Sequence, residues 1–146
     1  MKYKKQIQLI AAIVTLIVFP VITFYLMEAY THNPFEEVRP WAQFFNILLF
    51  ELLAWIFVSV TGKIQSGLRI ELVVAMIYGI ANAYVVRFRT NPIVPWDIFS
   101  WKTAASVVSN YDFKPDTRMV VVTLVFLGMI VLLQFVKTGI PKFQLW

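Results

Sequence analysis

The charged side chains of this 146-residue sequence gather at the ends of its apolar runs, with one clear exception. Glu51 stands in the middle of the run over residues 44–60. A charge at the centre of a bilayer costs roughly 2.5–3.5 kcal/mol on insertion scales and more on other estimates. An acid in such a place is a group for proton uptake or for contact with a polar substrate inside a helical bundle. It can equally be a protonated carboxyl bonded to a neighbouring helix. In the run over 70–86, Ala75, Gly79 and Ala83 recur at four-residue steps, a spacing that lets another helix backbone come close. Asn82 lies beside that stripe and could hydrogen-bond across it, although plain helix packing accounts for the stripe as well.

Arg87 and Arg89 end the same run. The guanidinium fork matches phosphate oxygens, and a lipid headgroup layer supplies phosphates. Snorkelling anchors are the simpler reading of the pair. A few residues on, Trp96, Asp97, Trp101 and Lys102 put aromatic rings and charge together. With Arg87 and Arg89 they form the candidate lipid-headgroup surface, and Glu51 and Asn82 are the candidate intramembrane polar groups. No catalytic residue and no metal site emerges. The sequence has no Cys and one His, His32, and lacks a glycine-rich phosphate loop, HExxH and GxSxG.

The elements that must carry these groups follow from composition. The chain is 60% hydrophobic and 14% charged. A disordered chain is poor in apolar groups, and an ordinary soluble domain carries about a quarter charged residues. Its mean hydropathy is +0.72. The net charge of +5 comes from bases at the ends of apolar runs, not from a soluble basic face, which argues against nucleic-acid binding. Four runs satisfy the length needed to span a bilayer: 7–27, 44–60, 70–86 and 119–136. The first follows Lys2, Lys4 and Lys5, but it exceeds a signal-peptide core. It also ends on bulky FYLM without a small-x-small site, so it reads as an uncleaved span that Pro20 could kink.

With the N-terminus cytoplasmic, the inner segments hold Lys2, Lys4, Lys5, Lys63, Arg69, Lys137 and Lys142, against the single edge acid Glu71. The outer segments hold Arg39, Arg87, Arg89, Lys102, Lys114 and Arg118 with an equal number of acids. The three lysines beside the first span favour a cytoplasmic N-terminus in a multi-pass cell-membrane protein. The link over 61–69, TGKIQSGLR, reads as a short loop with two glycines, and 31–41 as a polar turn with two prolines. Between Arg87 and Arg118, Pro92 and Pro95 stop a helix. Asp97 could then cap an amphipathic helix over 97–110 whose Ile98, Trp101, Ala105 and Val108 share one face. Such a helix rests in the headgroup layer. The expected fold class is therefore an all-α integral membrane protein, a single transmembrane domain of four spans plus one interfacial helix.

From Phe88 the sequence reads FRTNPIVPWDIFSWKTAASVVSNYDF. This stretch resembles the lipoteichoic acid synthase family in Arg89, Pro92, Pro95, Trp96, Asp97, Ser100, Thr103, Ala104, Val107, Asn110 and Tyr111. Asn46 in the second apolar run and Ala81-Asn82 in the third are also similar. The resemblance is specific over about thirty residues and covers the rest only as topology. It implies five N-terminal spans and an extracellular sulfatase-like domain that transfers glycerol phosphate from phosphatidylglycerol, with a threonine nucleophile and a divalent metal, typically manganese. Neither that domain nor its residues occur in these 146, and the tail resembles the approach to a fifth span, so the chain reads as a fragment without catalysis of its own. The expected role is anchoring and lipid presentation. A small integral scaffold or partner subunit, or part of a transporter with Glu51 as the coupling group, are the alternatives.

Overall fold

In the computed structural model, residues 2–100 and 113–136 are described. Among them the chain is helical: α1 (Lys2–Glu28), α2 (Pro34–Glu37), α3 (Pro40–Thr61), α4 (Ile64–Arg89), a 3₁₀ segment (Pro95–Ser100) and α5 (Thr117–Leu132). Three helices, α1, α3 and α4, are long and apolar enough to cross a membrane. At a rise of 1.5 Å per residue they measure about 40, 33 and 39 Å, against a hydrocarbon core of about 30 Å. Their outward faces carry large exposed side chains such as Ile10, Ile17, Leu48, Leu52, Trp55 and Ile77. An apolar exterior on helices of this length points to a membrane-embedded protein.

The fourth expected span is shorter than the three long helices. α5 has 16 residues, about 24 Å, and Leu133–Phe135 form a turn rather than the last turn of a span reaching 136. The hydrogen bonds there contract from the α-helical step to three residues, from Gln134 N to Val131 O and from Phe135 N to Leu132 O. That contraction ends the ladder.

α4 is the central element, packed against α3, α1 and α5. The α3–α4 link is tighter than the sequence implies. Gly62 takes the left-handed conformation (φ 64°) and donates its N–H to Val58 O, and α4 begins at Ile64. The second glycine of TGKIQSGLR, Gly67, belongs to α4. It lies against the backbone of Val58, so its missing side chain sets the closest approach of the two helices. At the other end, Asn33 caps α2 by accepting from Phe35 N, and Pro40 occupies the first turn of α3. Within α1 the hydroxyls of Thr15 and Thr23, both buried, donate to Ala11 O and Phe19 O.

Tyr30, just past α1, ties three helices together. Its ring covers Gly79 of α4 and stacks on Phe126 of α5 at 5.8 Å and 14°. Its hydroxyl bonds Thr123 Oγ1 at 2.9 Å. The stripe of small residues on α4 thus admits an aromatic ring at Gly79, where the sequence alone suggested a second backbone. The fully buried Phe24, Leu68, Leu72 and Phe126 complete the core around it.

Candidate functional site

The chain ends that meet at one end of the bundle come from α1–α2, the C-terminus of α4 and the N-terminus of α5. α4 stops at Thr90, a β-branched residue in the left-handed region (φ 63°), whose N–H reaches Val86 O. The strain of that backbone is held by the turn over residues 91–97. Asn82 Oδ1 accepts from Ile93 N at 2.8 Å, fixing the returning chain. Arg89 clamps Asp97 with two bonds, Nη1 to Oδ1 at 2.8 Å and Nη2 to Oδ2 at 2.5 Å, and also donates to Pro92 O. Asp97 Oδ2 takes the Val94 N–H as well.

Asp97, expected to cap a helix from 97, falls inside a 3₁₀ segment that already starts at Pro95, and among the described residues its carboxylate holds Arg89 and the Val94 N–H. A bidentate charged pair of this kind is about twice as strong as neutral hydrogen bonds. The remainder of the helix expected over 97–110, with Trp101 and Lys102, lies outside the described residues.

Arg87 makes the second clamp, to Asp116 Oδ2 at 2.6 Å and Lys114 O at 2.8 Å. The other oxygen of Asp116 caps α5 through Met119 N. Tyr84 adds a bond to Phe113 O, and Arg118 donates to Thr31 O. Both arginines of the expected headgroup surface therefore hold carboxylates while remaining half-exposed. Beside them Trp96 and Phe99 are 75% and 79% exposed, their ring centroids 6.0 Å apart.

The Arg89 guanidinium, and after it the Val94 N–H, holds the Asp97 carboxyl down at about 2 from its ordinary 3.8. The ionised form is the one favoured in the fold. The clamp's contribution is therefore complete above the ordinary carboxylate value and is lost as pH falls from about 4 through 2. A ¹³C carboxyl titration of Asp97 is expected to give a midpoint near 2, and one near 4 would mean that the clamp is open.

Between α1, α3 and α4 lies a cavity of about 720 Å³. Its wall on α4 runs from Glu71 through Ala75, Tyr78, Asn82 and Val86 to Thr90, about 28 Å of helix. Leu49, Phe50, Leu53 and Phe57 form the α3 side. Glu28, His32 and Glu37 stand where α1 and α2 reach it. Glu28 pairs with His32 Nε2 at 2.8 Å, and Glu37 accepts the Asn33 N–H.

Glu51 is half-buried and is not among the cavity walls. Of the acids that line the cavity, Glu28, Glu37 and Glu71, it is Glu71 that is only 2% exposed, with neither carboxylate oxygen hydrogen-bonded. Sequence reasoning placed Glu71 at the edge of a span. The signal that marks it is the stripe itself: Ala83, Gly79 and Ala75 continue backward by four to Glu71 and then Gly67. An acid on the closest-packed face of a helix is buried wherever along the span it falls.

Among the described residues no group of three or more His, Cys, Asp or Glu could hold a metal ion. Comparison with protein-family models, curated proteins and solved structures finds no match to this chain.

Proposed function

We propose that this chain is the membrane module of a phosphoglycerol transferase of the lipoteichoic acid synthase kind, anchoring it and presenting lipid at the outer membrane face. The reading assigns four spans, with α5 as the fourth, and a cytoplasmic N-terminus. It also assigns an interfacial helix that continues from Pro95–Ser100 over residues 97–110, and a longer chain carrying the catalytic domain and its metal. The observation that supports it best is the ledge at one end of the bundle. Two half-exposed guanidinium groups stand there beside the exposed rings of Trp96 and Phe99. Rings of this type sit at the headgroup level, and each guanidinium keeps N–H donors beyond those given to its carboxylate. Phosphatidylglycerol, with one phosphate charge, suits that surface.

The test sets lipid against carboxylate for the same arginines. Asp97→Asn and Asp116→Asn free the guanidinium groups and are expected to raise phosphatidylglycerol retained on the purified protein several-fold, read by native mass spectrometry. Arg87→Gln with Arg89→Gln is expected to abolish the retention. Unchanged lipid in both pairs would refute the headgroup role.

A further inference from the structure

The cavity has a chemistry that lipid anchoring does not use. Its apolar walls include the aromatic side chains of Phe50, Phe57 and Tyr78. No Lys or Arg among the described residues lines it. The acids near its outer end are occupied, Glu28 by His32 and Glu37 by a backbone N–H. Among the described acids Glu71 alone is buried with both oxygens unpartnered. A buried carboxylate without hydrogen bonds needs a counter-charge or a proton.

We propose that this cavity binds a monovalent organic cation, an ammonium-type centre on an apolar body, with Glu71 as its counter-charge. The volume falls in the range of drug-sized ligand pockets. A proton alone needs no such space, and a bare metal ion needs several oxygen ligands where the cavity offers one orphan carboxyl. Aromatic walls attract a cation through their ring faces, most strongly away from water. An amine-bearing lipid and a free amphiphilic amine share this chemistry. The inference stands on the cavity and is independent of the headgroup reading, whose measure is phosphatidylglycerol retention.

The probe is tetraphenylphosphonium, with tetraphenylborate as an anion of equal size, titrated calorimetrically into the purified protein in detergent. The chain's net charge of +5 would favour the borate if attraction were nonspecific. The phosphonium is expected to bind at least about tenfold more tightly than the borate, a difference that one desolvated charge readily supplies. Glu71→Gln should weaken it about tenfold or more, and Glu71→Asp should retain it within a few-fold. Glu51→Gln should leave most of the affinity. Equal binding of the two ions, or full affinity in Glu71→Gln, would overturn the proposal. If Glu71→Gln fails to fold, the comparison of the two ions on the unaltered protein decides. Displacement of the phosphonium by phosphatidylethanolamine assigns the site to an aminolipid, and displacement by dodecylammonium alone assigns it to a free amphiphile. Displacement by neither overturns it.

Discussion

Alanine at Gly67 is expected to destabilise the helical bundle by about 2–3 kcal/mol, the upper range for overpacking a well-packed site. A methyl group there would lie 2.5 Å from the backbone nitrogen of Val58 and 2.6 Å from its Cα. Backbone cannot rotate away, so α3 and α4 must separate along the most extensive contact among the described helices. Lipid supplies no hydrophobic force to restore that contact, because hydrocarbon tails are as apolar as the side chains. The same substitution elsewhere on the fold provides the calibration. At Gly79 the added methyl meets the ring of Tyr30, a side chain that can shift, and about 1–2 kcal/mol is expected. At Gly128 it meets nothing within 4 Å, and the better helix propensity of alanine should stabilise by about 0.5–1 kcal/mol. Unfolding of the three variants in one detergent checks the order. A Gly67→Ala protein as stable as Gly128→Ala would mean that the two helices do not cross at Val58.

Removing the Tyr30 ring is expected to cost as much by the opposite route. Tyr30→Ala empties a position only 3% exposed, where the ring fills the space between Gly79, Phe126 and Thr123. A loss of about 3 kcal/mol follows from cavity formation between helices that cannot collapse freely. Tyr30→Phe keeps the ring and loses one hydrogen bond. Thr123 retains its bond to Met119 O at 2.7 Å, so about 0.5–1.5 kcal/mol is expected. The two sites are coupled. In the Tyr30→Ala background the obstructing ring is gone, and Gly79→Ala should become nearly neutral. A double-mutant cycle measures that coupling, and simple additivity would mean that the ring does not lie on Gly79.

Several features were legible in the residues before any coordinates. Apolar runs bounded by Lys, Arg and Pro gave the long helices within a few residues, although α3 and α4 begin earlier than the hydropathy edges because Pro40 and the Gly62 turn fix their first turns. The four-residue stripe of Ala75, Gly79 and Ala83 marked the packed face of α4, since the period is that of the helix itself. Glu51 drew attention because its position along the run is visible in one dimension. Glu71 did not, because its burial depends on which way α4 is rotated about its axis. The arginine clamps were equally hidden. Arg87 and Asp116 are 29 residues apart, and only the return of the chain onto the end of α4 makes them partners.

The sequence by itself determined that this chain is a set of apolar helices suited to a membrane. Hydrogen bonds within a helix are local, and hydrocarbon leaves the backbone no other partner along a spanning segment. Tertiary structure decided which of the charges in the described residues are paired and that Glu71 is buried without a hydrogen-bond partner. Pairing at Asp97 and Asp116, and its absence at Glu71, are set by the rotation and crossing of helices far apart in the chain, and no local pattern encodes those.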